Sequence, residues 1–461
     1  MSDATPEAHG IPSQALLALV DELEREGLDP HALVVARHGD IVFEAAWAPY
    51  DLARPALVYS VSKTFTALAI GFLEAEGRLA LTDSVGELLD LPNPHGLTVR
   101  HLLTMNTGHD SAQIDALEFD VRRLLTETPA ATPGTAFAYN SDATFALSCI
   151  VTRLTGERLT DYLRPRLLDP LGIGRRWMKP ARGVEQGFSG FHLEVGDILR
   201  VAVMLSSGGR VGGEQIVPAA YVEELARAWS DTSDHGAPDP GNDWARGYGY
   251  QVWRSREGFR LDGAYGQFGL VLPDRGIVIA YQGSTLTTQR TLDAVWRLVD
   301  AVADAPVDVD AESARSLADR AAGLDSWAAR EVLASAPDGA TDATGWRLDD
   351  HGEGWTLTLP GGAVEVVPHR WTHSVLPLPA PADDGGAVVD SPPVEDGTHV
   401  SLAARGGHAG DGVLIHVVAT TSPHRLIVRR NADGALHAAW HTVPLQGGTL
   451  GALSVPEWVT R

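Results

Sequence analysis

The sequence predicts an α/β (α+β) protein: an antiparallel sheet flanked by helices, with a large helical insertion, followed by a small β domain. Strand-like patterns occur near the start of the chain and again from about residue 248, whereas residues from about 78 to 245 show mostly short helical patterns. The composition changes beyond Pro306, and 461 residues are too many for one ordinary domain. We therefore expect a first domain over residues 1–305, a helical linker over 306–340 and a β-rich domain over 341–461.

The early elements follow from local patterns. Residues 14–26 have the apolar spacing of a helix that ends at Gly27. Residues 32–37 and 41–46 lie on either side of a short turn and predict a hairpin. The two early strands would share one sheet with three later ones, and the first and last helices would pack on it. The later strands are predicted at 248–253, 264–272 and 277–282.

The most informative stretch is Tyr59-Ser60-Val61-Ser62-Lys63, which opens an amphipathic helical pattern that has one buried face and ends at Gly77. Ser60 would lie at the first helical turn, where unpaired N–H groups favour developing negative charge, and Lys63 would lie three residues on, on the same side. A serine nucleophile needs such a neighbouring base to take its proton.

Lysine usage supports this interpretation. Among the 36 Lys and Arg residues of the chain, only Lys63 and Lys179 are lysines. Arginine serves equally well as a surface charge, but only a desolvated lysine can lose its proton at workable pH. A lysine at position 63 therefore favours a chemical role.

With this motif the sequence resembles the serine β-lactamase and penicillin-recognising superfamily, whose class C members and related esterases carry S-V-S-K-T-F before such a helix. The run from Val99 to Met105, V-R-H-L-L-T-M, is also similar to that superfamily. The resemblance covers about residues 10–303 and implies the superfamily fold. We interpret His101, within that run, as a structural histidine.

The resemblance implies a second motif after Pro133-Gly134-Thr135, where relatives carry Y-x-N or Y-x-S. Tyr139-Asn140-Ser141 matches the second form. Tyr139 would carry protons, because a nearby lysine ammonium stabilises its phenolate. Ser141 would contact the substrate, although each residue could instead have a structural role, Tyr139 as an interfacial aromatic and Ser141 as a helix N-cap.

The third superfamily motif, K-T-G or a variant, falls on Leu261-Asp262-Gly263. Gly263 keeps the close backbone approach to a substrate, and the N–H of Ala264 would complete an oxyanion hole with that of Ser60. Asp262 stands in place of a cation and would disfavour anionic substrates, unless Arg260 supplies the positive charge instead.

Charge and composition exclude several classes of partner. The net charge is −24, and no basic cluster exceeds two residues, so we expect neither nucleic-acid nor membrane binding. The N-terminal stretch lacks the basic and apolar regions of a secretory signal, and we expect a cytoplasmic protein. No pattern indicates an oligomeric state. Neither the motifs nor the resemblance implies a metal or organic cofactor, and the pair His369 and His373 has no third ligand nearby in the sequence.

The expected function is hydrolysis of a small-molecule ester or amide through an acyl-enzyme on Ser60. Within the enzyme class, a true β-lactamase or a D-amino-acid peptidase remains an alternative. From another class, the chain could be a non-catalytic ligand-binding or sensor protein that keeps the fold. The C-terminal domain carries no residue to which we assign chemistry.

Overall fold

The computed structural model describes residues 5–236, 241–335, 338–382, 385–445 and 447–461. A helix at Ser13–Arg25 precedes the predicted hairpin, whose strands are β1, Pro30–Arg37, and β2, Asp40–Ala46. A 3-10 turn at Tyr59–Val61 then leads into the helix Ser62–Ala75, which we call the central helix.

The first domain is built on a six-stranded antiparallel sheet. The later strands are β3, Trp253–Arg254; β4, Phe259–Gly263; β5, Gln267–Leu272; and β6, Ile277–Gly283. The strand order is β2-β1-β6-β5-β4-β3, so the first and last parts of this domain meet at the β1–β6 pair. A closing helix at Thr288–Asp300 follows. The predicted sheet of early and late strands, flanked by helices, is confirmed.

The predicted strand at 248–253 is wrong except at its end. The Tyr250 N–H donates to the Leu225 carbonyl and the Gln251 N–H to the Leu103 carbonyl. Because these backbone groups bond to the insertion and not to a neighbouring strand, the sheet begins only at Trp253.

The helical insertion lies between β2 and β3. Its longest helices are Ser141–Thr155 and Val195–Ser206, and three two-stranded ladders accompany them: Ala56–Leu57 with His192–Leu193, Pro180–Ala181 with Val184–Glu185, and Arg210–Val211 with Glu214–Gln215. The remaining α-helices of the insertion are Val85–Leu89, Val99–Leu103, Ser111–Asp115, Val121–Thr126, Leu159–Leu163 and Ala219–Ala226.

The central helix is buried on every side, although its sequence predicts only one buried face. All of its residues from Ser62 to Leu73 are buried. Its polar side chains bond to the surrounding chain: Thr64 Oγ1 donates to the Gln251 carbonyl over 3.0 Å and Thr66 Oγ1 to the Gly187 carbonyl over 2.8 Å. Hydroxyls that find such acceptors can be buried at little cost.

Beyond the closing helix, helices at Ala311–Ala322 and Arg330–Ser335 lead into two antiparallel sheets that share one apolar core. The Ala311–Ala322 helix contributes Leu317 to the core of the first domain. The smaller sheet contains Arg347–His351, Gly354–Leu359 and Gly362–Val366. The larger contains, in spatial order, Gly339–Ala340, Leu436–Trp440, Arg425–Arg430, Gly412–Ala419, His399–Ala409 and Thr372–Pro377. This additional β structure is the predicted C-terminal part of the fold.

The two parts of the chain are joined by buried polar contacts. Arg425 forms an ion pair with Asp29 over 2.8 Å, and both side chains are almost completely buried. Ser284 Oγ and Thr442 Oγ1 lie 2.9 Å apart. Burial alone would raise the pKa of Asp29, but Arg425 and His31 outweigh it and hold that pKa low. Within the described ranges, no helix is both long and apolar enough to cross a bilayer.

Candidate active site

Ser60 and Lys63 lie beside each other where the 3-10 turn meets the central helix. Lys63 Nζ is 3.0 Å from Ser60 Oγ, as their spacing in the sequence predicts. It is also 3.1 Å from Ser141 Oγ and donates to the Phe188 carbonyl over 2.9 Å. The structure thus brings together three predicted site residues. The Phe188 carbonyl is an addition that no sequence pattern indicated.

Burial changes the pKa of the Lys63 amine. Its side chain is almost completely buried, and this lowers its pKa from about 10.5 to about 7. The Phe188 carbonyl can only accept, so it takes one N–H of the amine. A neutral amine then keeps a lone pair that can accept the proton of the Ser60 hydroxyl.

Ser62 is occupied by structural bonds. Its Oγ donates to the Tyr59 carbonyl over 2.6 Å and accepts from the Phe191 N–H over 3.2 Å. The Ser62 hydroxyl therefore supports the turn that carries Ser60.

Tyr139 lies on the other side of the lysine. Lys63 Nζ is 4.9 Å from the centre of its ring, which stacks on Trp253 at 5.6 Å. Burial raises the pKa of Tyr139 above its usual value, while a hydrogen bond with Ser60 acts in the opposite direction. The net shift is opposite to the phenolate stabilisation expected from a lysine ammonium, so Tyr139 holds its proton at neutral pH.

The end of β4 touches the turn that carries Ser60. A Cβ built on Gly263 would lie 2.3 Å from the Val58 carbonyl oxygen and 3.3 Å from the Ser60 nitrogen. Only glycine allows this approach without a shift of the backbone. The next residue, Ala264, begins the turn between β4 and β5. The two N–H groups predicted to form an oxyanion hole therefore belong to neighbouring backbone segments.

The predicted roles of Asp262 and Arg260 require correction. The side chain of Arg260 is fully buried, and its Nε lies 2.6 Å from Asp262 Oδ2. Arg260 also donates to the Asp243 and Arg254 carbonyls. It cannot meet a substrate, and its charge neutralises the Asp262 carboxylate that was expected to repel anions. The two side chains lie on the same face of the strand because they are two residues apart.

A cavity of about 520 Å³ opens at Ser60 and Ser141. One wall belongs to the first domain and includes Phe119, Lys179 and Phe188. The opposite wall comes from the C-terminal domain, at Ala380–Ala382, Gly385, Asp396–Gly397 and Leu445. Sequence analysis missed this second wall. Lys179, whose Nζ donates to the Ala452 carbonyl over 3.1 Å, could have been found by the lysine usage that singled out Lys63.

His101 is structural, as predicted. Its ring Nδ1 accepts from the Thr98 backbone N–H over 3.2 Å, and the His101 backbone N–H donates to Thr98 Oγ1. The histidine thus caps a helix of the insertion. No group of three or more His, Cys, Asp or Glu side chains in the described part of the chain could hold a metal ion.

Comparison with known proteins identifies the family of the chain. Residues 20–304, more than half of the chain, match the Beta-lactamase family. The chain belongs to the Beta-lactamase family. It is a serine hydrolase of that family in the broad sense, and the resemblance that the motifs indicated is confirmed.

One curated relative is penicillin-binding protein 4 of Amycolatopsis lactamdurans, which is 26% identical over 334 residues that cover 60% of this chain and 82% of the relative. Among solved structures, a penicillin-binding protein homologue from Caulobacter crescentus has a TM-score of 0.50 at 19% identity and covers 63% of this chain and 99% of its own.

A second solved structure extends the similarity to the C-terminal part. The octameric penicillin-binding protein homologue from Pyrococcus abyssi has a TM-score of 0.51 at 16% identity, and the match covers 92% of this chain and 99% of that one. The Beta-lactamase family fold and the additional C-terminal β structure therefore occur together in another protein.

Proposed function

We propose that the protein cleaves an ester or amide through an acyl-enzyme on Ser60. The observation that carries this proposal is the buried amine of Lys63, which lies within hydrogen-bonding distance of both Ser60 Oγ and Ser141 Oγ and has a pKa lowered to about 7. An amine of this acidity can take the serine proton at neutral pH and return it later in the reaction.

In the first step, Ser60 Oγ forms a bond to the substrate carbonyl carbon as its proton passes to Lys63 Nζ. The resulting oxyanion would be stabilised by the N–H groups of Ser60 and Ala264. Tyr139 keeps its proton at neutral pH and its ring centre lies 4.9 Å from Lys63 Nζ, so it is placed to give its proton to the leaving group as the bond to that group breaks. The proton on Lys63 Nζ then passes to the Tyr139 oxygen and restores the phenol. In the second step, water attacks the acyl carbon as Lys63 Nζ takes its proton, and that proton passes to Ser60 Oγ as the bond between Ser60 and the acyl group breaks.

The cavity favours a small-molecule substrate, since about 520 Å³ is within the usual range of small-molecule sites. Ser141 would orient the substrate, because its hydroxyl faces both the cavity and the lysine. The reaction described here needs no metal or organic cofactor.

A panel of p-nitrophenyl esters and anilides, assayed with the wild-type protein and Ser60→Ala, tests the proposal. We expect turnover of at least one substrate by the wild type and none by the variant. A fluorophosphonate probe should label Ser60, and mass spectrometry should find no adduct on Ser62. A folded wild-type protein that is neither labelled nor active would instead support the non-catalytic, ligand-binding alternative.

Hydrolysis of β-lactams or D-amino-acid peptides is the second candidate function. It is favoured by the similarity to a relative named penicillin-binding protein 4. Pairing of Asp262 with Arg260 also removes the expected repulsion of an anionic substrate. Nitrocefin and a D-alanyl p-nitroanilide belong in the same panel, and turnover of either above that of the best simple ester would favour this second function.

A further inference from the structure

Two tyrosines of the first domain reach into the C-terminal domain beside the site. Tyr59 immediately precedes Ser60, and its hydroxyl lies 2.5 Å from His424 Nε2. Tyr265 immediately follows Ala264, and its hydroxyl donates to the Val443 carbonyl over 2.5 Å. The two residues whose N–H groups would form the oxyanion hole are thus each adjacent to a tyrosine that bonds to the C-terminal domain.

Both tyrosines have a strained backbone. The φ of Tyr59 is +47° and that of Tyr265 is +65°, in the left-handed region that residues with a side chain seldom adopt. Such conformations persist only where the surroundings hold them, and they occur often at functional sites. Glycine would relieve the strain, but it would also remove the phenol.

His424 accepts the hydrogen bond that holds the Tyr59 side chain. Its ring is completely buried, and Nδ1 lies 2.9 Å from the Thr442 carbonyl, which can only accept. Nδ1 therefore carries the proton, Nε2 is free to accept, and Tyr59 donates to it. Burial lowers the pKa of His424 to about 3, so this arrangement persists throughout the neutral range.

The rings also fix one another. Tyr59 and Tyr265 meet edge to face at 5.4 Å, and the His424 ring lies 5.7 Å from the first and 5.1 Å from the second. Nearby, the Leu57 N–H donates to the Thr421 carbonyl, and Arg425, next to His424, is paired with Asp29. The C-terminal domain is therefore docked firmly behind the turn that carries Ser60.

We propose that His424 and the Val443 carbonyl of the C-terminal domain position the oxyanion hole by holding Tyr59 and Tyr265 in their left-handed conformations. This inference rests on the proposed function. None of the four residues supplies a group to the proposed reaction, so they are positioning residues, although Tyr59 also lines the cavity. In this protein the C-terminal domain is then required for efficient acylation, although it contributes no catalytic group.

The test uses the full-length Tyr59→Phe, Tyr265→Phe and doubly substituted proteins, which keep the rings and lose only the hydroxyls. Ser284→Ala is the matched control, because it removes an interdomain hydrogen bond in the same interface. The readouts are melting temperature, kcat and KM for p-nitrophenyl acetate, and the inhibition constant of phenylboronic acid, which forms a tetrahedral adduct with an active-site serine.

We expect kcat of the double variant to fall by about 10–100-fold with KM nearly unchanged, because small displacements of oxyanion donors have effects of this size. The affinity for phenylboronic acid should fall in parallel, since the adduct resembles the tetrahedral intermediate. Ser284→Ala should keep the wild-type kcat.

A second pair of variants, His424→Gln and His424→Leu, tests whether a hydrogen-bond acceptor at position 424 is what matters. The glutamine oxygen can accept from Tyr59, so the Gln variant should retain more activity than the Leu variant.

Wild-type kcat and boronate affinity in the folded double variant would overturn the inference, as would a loss of kcat in Ser284→Ala equal to that in the double variant. Equal activities of the two His424 variants would also count against it. Failure of the proposed function is distinguishable, because the wild-type protein would then show no Ser60-dependent turnover in the same assay.

Discussion

Asp142 and Lys63 shift each other's pKa. Burial is the main cause in both cases, lowering the pKa of Lys63 to about 7 and raising that of Asp142 to about 6. The negative carboxylate acts against the first shift and the positive ammonium against the second. Asp142 thus acts electrostatically on the base, while its Oδ1 accepts a hydrogen bond from the Phe119 N–H.

Replacing Asp142 by Asn should therefore lower the pKa of Lys63 further. Asparagine can still accept from the Phe119 N–H, so the local backbone should be preserved. We expect the rising limb of the kcat/KM–pH profile to move to lower pH. An unchanged or higher midpoint would show that the carboxylate does not act on the base.

For the wild-type protein, kcat/KM should rise with pH to a plateau, with a midpoint near 7. Only the neutral amine can accept the serine proton, so activity follows deprotonation of Lys63. The raised pKa of Tyr139 implies no falling limb from this residue up to about pH 9. Initial rates from pH 5 to 9 check both features, and a bell-shaped profile with a maximum below pH 7 would contradict them.

Replacing Lys63 by Arg should leave the fold intact and remove turnover. The helix propensities of the two residues are nearly equal, but arginine stays protonated and cannot accept the serine proton. Acylation should slow by about 10²–10⁴-fold. Circular dichroism and melting establish the fold, and the rate of fluorophosphonate labelling measures nucleophilic attack by Ser60. Labelling at the wild-type rate would refute the role assigned to Lys63.

The sequence allowed the sheet, the central helix and the Ser60–Lys63 pair to be predicted, because each follows from spacing along the chain. Burial of the central helix on every side from Ser62 to Leu73 could not be predicted in this way. It depends on acceptors such as the Gly187 and Gln251 carbonyls, which lie more than 100 residues away in sequence and meet Thr66 and Thr64 only in the folded protein.

The same reason explains the errors at the site. The pairing of Arg260 with Asp262 follows from strand geometry, but its burial depends on the Asp243 and Arg254 carbonyls that surround it. The C-terminal wall of the cavity was missed because its residues, such as Pro381 and Leu445, carry no chemical pattern. These residues contribute to the site by shaping the cavity wall.

Acid should destabilise the protein below about pH 6.5. Burial lowers the pKa of His31, His192, His416, His424 and His441. Below the ordinary histidine pKa the unfolded chain takes up protons at these histidines that the folded protein does not, so the free energy of unfolding falls as the pH falls. Burial also raises the pKa of Glu185 to about 7 and that of Asp142 to about 6, which acts in the opposite direction, but more histidines than carboxyl groups are shifted in this way. Each such histidine contributes up to about 1.4 kcal/mol per pH unit. Urea titrations at several pH values measure this slope, and a stability that is constant or rises from pH 6.5 to 5 would contradict it.

The contact between Gly263 and the Ser60 turn gives a final prediction. A Cβ at position 263 would lie 2.3 Å from the Val58 carbonyl oxygen, so Gly263→Ala must displace either β4 or the turn. Because both are backbone segments, no side chain can move aside to relieve the contact.

We expect Gly263→Ala to reduce kcat by about 100-fold, the effect of misplacing reacting groups by about 1 Å. Gly269→Ala on the neighbouring strand β5 is the matched control. A Cβ there would meet the Ile198 Cγ2 methyl at 3.0 Å and Ala202 Cβ at 3.5 Å, which are side-chain atoms of the insertion and not backbone atoms of the Ser60 turn, so it should affect stability and leave kcat near the wild-type value. Melting temperatures and steady-state kinetics of the two variants separate these effects. A folded Gly263→Ala protein with wild-type kcat would show that the end of β4 does not fix the geometry around Ser60.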